Sequence, residues 1–362
     1  MRLILLLALA CLQVSAAASR KTRNVILVTA DGLRWQELFS GIDAALMNEE
    51  AAGMVGKDSL RDRLWRPEAE ARRAALMPFF WNEFVPQGVA LGNAKRGSSV
   101  QVTNRYRVSY PGYSEILTGR DQDAAIQGNR EIQNPSATVL EFLREKLALD
   151  SKRVALFASW SVFHFIGEQR PGSIFVNAGF RELGGAHSRK LSELSRLQFR
   201  ILTPWDTVRH DYITFEMALE YLRTVKPRVL YIALGETDDW AHDKRYDRTL
   251  QTIQYFDQCL RDLAAAIDAL PEYRGNTSVI VTTDHGRGGT LADWNSHGAK
   301  VEGAERIWMA IRGPDTPATG EARDVPAVYQ RDVAPTILDL MGIDYREMTG
   351  VLGKPVPLAT GR

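Results

Sequence analysis

The sequence predicts an α/β fold with a mostly parallel central sheet and helices on both faces. Three observations predict it. Short runs that are nearly continuous in apolar residues recur along the chain, as strands buried on both faces require. Amphipathic helical patterns lie between them. The two kinds alternate, which implies right-handed βαβ crossovers and hence a parallel sheet.

In chain order, the apolar runs are "NVILVTADG" (24–32), "VALFASW" (154–160), "RVLYIALGETD" (228–238), "SVIVTTDHG" (278–286) and "RIWMAIRGP" (306–314). The helical patterns begin with "SATVLEFLREKLALD", where Ser136 is the expected N-cap and Leu140, Leu143 and Leu147 share one face. "ITFEMALEYLRTVK", "DRTLQTIQYFDQCLRDLAAAIDAL" and "DVAPTILDLMG" read the same way. Residues 40–80 are polar and read as an irregular insertion near the site, and loops 160–215 carry no legible motif.

The chain has 362 residues, 45% of them hydrophobic and 25% charged, with a formal net charge of +1. That balance gives no reason to expect electrostatic capture of nucleic acid or of an anionic membrane. Arg2 precedes an apolar run from Leu3 to Leu12, followed by "QVSAAASR". A charged start, a short apolar stretch and a small-x-small site form the pattern of a secretory signal peptide, with cleavage expected after Ala18. The run is too short to span a bilayer. Cys11 suggests a lipoprotein, but Ala8 stands where a lipobox has Leu. The remaining cysteine, Cys259, lies on an amphipathic pattern and is expected in the core. An exported chain without a disulfide suits a periplasm. The expected organisation is a signal peptide over 1–18 and a single domain over 19–362.

Three of the predicted strands end in acids and histidines. "VTADG" delivers Asp31, "LGETDDWAH" delivers Asp238 and His242, and "VTTDHG" delivers Asp284 and His285. In an open α/β sheet, ligands bind outside the carboxyl ends of the strands, so these groups can converge. Each has a plainer alternative: Asp31 before Gly32 as a turn, Asp238 and Asp239 as a solvated loop, His285 as a core histidine. His297, in "DWNSHGAK", follows the last of these strands, whereas His164, His187 and His210 lack such a setting and read as bystanders. Three carboxylates and three imidazoles exceed one tetrahedral metal and divide well into two sites. Mixed nitrogen and oxygen ligands suit zinc and argue against calcium or magnesium alone. Two dications carry four positive charges. Three carboxylates balance three of them, and a serine alkoxide would balance the fourth. Ser109, in "RVSYPGYSEILTGR", is the candidate: a metal would lower its pKa and make it a nucleophile.

With "VTADGLR", "SYPGYSEILTGR", "DDWAH", "TTDHG", "NSHG" and "DVAPTILDLMGI" in this order, the chain resembles the alkaline phosphatase superfamily over about residues 23–345. Within it, the chain is most similar to the phosphodiesterase and nucleotide pyrophosphatase-like branch. The resemblance implies an alkaline phosphatase-like fold and two divalent ions. One would be held by Asp238, His242 and His297, the other by Asp31, Asp284, His285 and the Ser109 oxygen. Asn129, in "IQGNREI", stands where that branch keeps an asparagine that donates to a phosphoryl oxygen. The implied activity is hydrolysis of a small-molecule phosphate ester through a phosphoseryl intermediate.

Two departures matter. The diesterase branch usually has threonine where Ser109 stands, which leaves monoesters open. Residues 109–120 also match the sulfatase signature in spacing, with Pro at the third place and Thr-Gly-Arg at the end. Sulfatases need an arginine at the fifth place for conversion to formylglycine, and Tyr113 occupies it here. Cofactor-independent phosphoglycerate mutases share the metal pattern, but an exported protein would rarely meet their substrate. A non-catalytic binding protein of the same fold is the remaining alternative, against which no metal position is substituted.

Overall fold

The computed structural model describes residues 20–361 except 56 and 185–187. The expected signal peptide, Cys11 and His187 lie outside the described residues. Among the described residues, eleven strands form two sheets: β1 (Asn24–Ala30), β2 (Gly88–Leu91), β3 (Val100–Gln101), β4 (Val154–Ala158), β5 (Phe175–Ala178), β6 (Val229–Leu234), β7 (Thr277–Thr282), β8 (Arg306–Ile307), β9 (Met309–Arg312), β10 (Gly320–Glu321) and β11 (Val328–Tyr329). The large sheet has the order β10-β2-β9-β7-β1-β6-β4-β5, and a small one has the order β11-β3-β8.

The predicted class is the observed one. β7, β1, β6, β4 and β5 run parallel. Within the large sheet only β9 runs against its neighbours, pairing antiparallel with β7 and β2. β1 lies between β6 and β7, with Val28 level with Ile232 and Val281. Its seven residues are all buried, and they alternate between two cores. Ile26, Val28 and Ala30 join one core, with Phe215 and Leu222 of the Asp211–Thr224 helix and Leu250, Phe256 and Cys259 of the Tyr246–Ala269 helix. Val25 and Leu27 join the other, with Ile116 and Leu117 of the Ser109–Thr118 helix, Leu140 and Leu143 of Val139–Lys146, and Ile337 of Val333–Leu340. A strand that is apolar throughout therefore serves both layers, because successive side chains point to opposite faces.

Three local expectations are corrected. The run "RIWMAIRGP" is two strands: β8 pairs with β3 in the small sheet, and β9 enters the large one. Trp308 sits at the crossing, its indole N–H donating to Leu33 O at 2.8 Å. The N-cap of the Val139–Lys146 helix is Thr138, two residues beyond the expected Ser136, with Glu141 completing a capping box. Ser136 instead donates its hydroxyl to Gln122 Oε1 at 2.5 Å. Residues 40–80 are helical rather than irregular. Helices Lys57–Leu64 and Ala69–Leu76 place Leu60, Leu64, Leu76 and Met77 in the first core. The polar reading failed because Arg73 is itself buried, bonded twice to Glu321 at 2.9 and 3.0 Å and lying 3.5 Å over the Trp81 ring. No helix among the described residues is long and apolar enough to cross a membrane.

Candidate active site

Because β1, β6 and β7 run parallel side by side, their carboxyl ends open at one edge of the sheet. Asp31 directly follows β1, its N–H donating to Leu234 O at 2.9 Å. Asp284 and His285 follow β7, and Gly32 N–H donates to Asp284 Oδ1 at 3.0 Å. After β6 the chain turns into the Glu236–His242 helix, where Asp238 and His242 are four residues apart and share a side. His242 Nε2 lies 3.1 Å from Asp238 Oδ2. His297 comes from the loop beyond β7, with Nε2 3.0 Å from His242 Nε2 and 3.8 Å from Asp238 Oδ1. His285 is at the centre. Its Nε2 stands 3.4 Å from Asp31 Oδ1, 3.4 Å from Asp284 Oδ2, 3.6 Å from Asp238 Oδ1 and 3.4 Å from Ser109 Oγ. The structure thus brings together all seven residues named from the sequence as metal ligands.

Ser109 is the first residue of the Ser109–Thr118 helix and is 5% exposed. Helix N–H groups there favour an anion. Asn129 adjoins the same helix end, its Oδ1 accepting from Tyr110 N–H at 2.9 Å. Gly112 lets the helix approach β7's end: a Cβ there would lie 2.2 Å from Asp284 O. Gly32 has φ +57°, and a Cβ would meet Asp238 Oδ1 at 2.7 Å, so glycine is required both by backbone and by space. Ser114 faces away from Ser109, accepting from Gln122 Nε2 at 2.5 Å and Asn134 Nδ2 at 3.4 Å.

The segment leading to Ser109 is fixed by buried groups. Glu115 accepts from the N–H groups of Thr103, Asn104 and Arg331. Arg107 adopts φ +52°, and its carbonyl accepts from His297 Nδ1 at 3.2 Å. His285 Nδ1 donates to Gly286 O at 3.1 Å. A carbonyl only accepts, so both rings carry a proton on Nδ1 and turn Nε2 towards the cluster.

The residues fit divalent cations. Asp31 Oδ1 and Asp284 Oδ2 are buried and without a hydrogen-bond partner. Such atoms are costly unless something cationic answers them. Burial and then neighbouring Asp31 push Asp284 up to about 8. Burial opposes the charged form of His285, but Asp284 and Asp31 outweigh it and raise that ring to about 9. Protons thus occupy the cluster where a cation would. Burial, then His285, Arg287 and His242, hold His297 far below its usual range, so its ring favours the neutral form a metal would need. Two trios have ligand atoms within 4.8 Å of one another: Asp31, Asp284 and His285, and Asp238, His285 and His297. The first matches the grouping implied by the resemblance. The second holds His285 in place of the expected His242: the His285 ring stacks 3.8 Å from His297, while His242 adjoins the trio through Asp238 and His297.

Sequence reasoning missed three supporting residues. Tyr113 is buried, and its hydroxyl donates to Asp31 Oδ2 at 2.9 Å. Its place four residues after Ser109 on the helix was the available signal. Arg287 is 1% exposed and touches Asp238. His210, taken as a bystander, lies 2.9 Å from Glu236 Oε1 through Nδ1, at the start of the helix that carries Asp238 and His242. His164 is remote, against Ala178 O at 3.2 Å. Tyr113→Phe is expected to keep the fold and weaken divalent-metal affinity by roughly 10-fold, the usual effect of losing an outer partner of a ligand. Zinc titration of the metal-free protein checks this.

The model of the Sulfatase family matches residues 108–343. The chain belongs to the Sulfatase family. The match opens one residue before Ser109 and takes in all the clustered residues except Asp31. This Sulfatase-family chain shares its mixed α/β fold with solved alkaline phosphatase-like structures. Wild type alkaline phosphatase PafA superposes with TM-score 0.60 at 12% identity, over 96% of this chain and 100% of that one. Phosphonate monoester hydrolase SpPMH from Silicibacter pomeroyi gives 0.56 at 14% identity, over 94% and 77%. Among curated proteins, the chain is 24% identical to a 2,3-bisphosphoglycerate-independent phosphoglycerate mutase of Gracilaria tenuistipitata var. liui over 66% of this chain and 43% of the relative. It is 33% identical to the same-named protein of Picosynechococcus sp. over 37% and 26%. Sulfatase ppz1 of Metarhizium majus is 31% identical over 32% and 27%. The aligned stretches thus span less than half the length of each of these curated relatives.

Proposed function

We propose that this Sulfatase-family chain is an exported hydrolase of small-molecule phosphate esters with Ser109 as nucleophile. The observation that carries this reading is the placement of Ser109 Oγ, 3.4 Å from His285 Nε2 among three carboxylates, at the start of a helix. Two divalent ions, zinc by the ligand chemistry, would be held by Asp31, Asp284, His285 and Ser109 and by Asp238, His242 and His297, and would supply Lewis-acid stabilisation. Ser109 Oγ gives up its proton and attacks phosphorus in line. The P–Oγ bond forms as the ester P–O bond breaks, and the leaving oxygen takes up a proton. Water then displaces Oγ and returns the serine. The Oδ1 of Asn129 is held by Tyr110 N–H, which leaves its amide N–H groups as donors to a phosphoryl oxygen. Export rests on the leader-like residues 1–18.

Phosphate is favoured over sulfate because Tyr113 stands where sulfatases need arginine, and its hydroxyl is committed to Asp31. The names of two curated relatives favour a second reading, in which the phosphoseryl group passes to an alcohol and not to water. The test compares an aryl phosphate monoester, a diester, a phosphonate, a sulfate and a phosphoglycerate with one preparation. Hydrolysis of the phosphate esters is expected. An aryl sulfate as best substrate, or isomerisation of the phosphoglycerate without release of phosphate, would replace this reading.

A further inference from the structure

Arg287 is a buried cation that the mechanism above does not use. It is 1% exposed, so no substrate reaches it. Its guanidinium is nonetheless fully engaged. Nε donates to Gly32 O at 3.2 Å, Nη1 to Asn295 O at 2.6 Å, and Nη2 to Asp238 O at 3.2 Å and to the Asp238 carboxylate. Each partner belongs to a different segment, and each segment carries a site residue. Gly32 follows Asp31, Asp238 is itself a site residue, and Asn295 precedes His297 by two positions. Arg287 follows His285 by two. One planar fork thus ties together segments that lie far apart in sequence.

The tie is uneven. Of the residues proposed for one cation, Asp238 is held by Arg287 directly and His297 through Asn295. The other group is reached by Arg287 only through the Gly32 carbonyl, and its acids have supports besides: Gly32 N–H on Asp284, and Tyr113 on Asp31.

We propose that Arg287 is a positioning residue that sets the geometry of the Asp238, His242 and His297 group specifically. This rests on the metal reading of the site given under the proposed function. Lysine cannot substitute for it, because a point charge on a flexible stem does not reach three carbonyls in one plane.

The test is zinc titration of the full-length, metal-free protein by calorimetry, with circular dichroism to verify folding. Wild type should take up two equivalents. Arg287→Lys and Arg287→Gln should bind one equivalent as wild type does and the other at least about 10-fold more weakly, as loss of an outer support predicts. Tyr113→Phe should weaken the equivalent that the Arg287 variants leave intact. His297→Ala marks the Asp238 group, so adding Arg287→Lys to it should change the remaining equivalent little. Two unaltered equivalents in the Arg287 variants would overturn the proposal. So would equal weakening of both, or loss of the folded state in both variants, since the residue would then serve the fold as a whole. A wild type that binds no zinc would instead overturn the metal reading, and this inference with it.

Discussion

Replacing Ser109 by alanine is expected to lower turnover of a phosphate ester by roughly 10³-fold or more and to leave the fold intact, since removing a covalent nucleophile leaves only binding and electrostatic stabilisation. The structural loss is small. The Ser109 hydroxyl makes one long contact, 3.4 Å to His285 Nε2. The helix that begins at Ser109 is held by other groups, including Glu115 with its bonds to Thr103, Asn104 and Arg331. The thermal transition of the variant should therefore match wild type within a few degrees. Ser109→Thr keeps a hydroxyl at the same place and should retain part of the activity. Ser114→Ala is the control. Its hydroxyl bonds Gln122 and Asn134 on the far side of the helix, so the change should lower stability and spare chemistry. Mass spectrometry of the peptide spanning residue 109 should find unmodified serine, because Tyr113 occupies the arginine place that formylglycine conversion requires. A formylglycine there, or full activity in Ser109→Ala, would remove the mechanism.

Asp284→Asn should have effects of opposite sign on function and on stability. The metal-binding capacity should fall and the rate with it by at least about 100-fold, since a Lewis acid supplies several kcal/mol of transition-state stabilisation. Stability of the metal-free protein should hold or rise. Asp284 is fully buried, and its Oδ2 has no partner, so an amide of the same shape is the less costly group without a metal. Asparagine Oδ1 can still accept from Gly32 N–H, as Asp284 Oδ1 does at 3.0 Å. Chelation of the wild type should reproduce the activity loss. Thermal melts of both proteins without metal, beside rates with zinc restored, distinguish this from a structural role. Lower metal-free stability together with unchanged metal uptake would assign Asp284 to the fold and not to the site.

The central strands were legible because their chemistry is local. A strand such as β1, with every residue buried, must be apolar on both faces, and its end is marked where Asp31 and Gly32 follow. β6 and β7 carry the same mark. The shorter strands outside this centre gave less signal, and β9 was read only as one run with β8. β2 and β5 have four residues each, and β9 is antiparallel. The crossing at Trp308 depends on Leu33 O, far away in the chain, as partner. Arg73 misled the reading of residues 40–80 because its partners, Glu321 and Trp81, are brought to it only by folding.

What the sequence determined by itself was which candidate groups would converge and the edge of the sheet at which they meet. Asp31, Asp238, His242, Asp284, His285 and Ser109 have types and strand or helix ends that follow from short-range patterns, and His297 from its loop. The tertiary structure decided how they are held. It placed His285 Nε2 near three carboxylates, turned His297 by the carbonyl of Arg107, bonded Tyr113 to Asp31 and set Arg287 across three segments. The longest of those contacts, Tyr113 to Asp31, His297 to Arg107, His285 to Asp31 and Arg287 to Gly32, join residues 82 to 255 positions apart. No local pattern encodes a partner at that separation. It is fixed only when parallel strands bring their carboxyl ends side by side and buried polar groups must find one another.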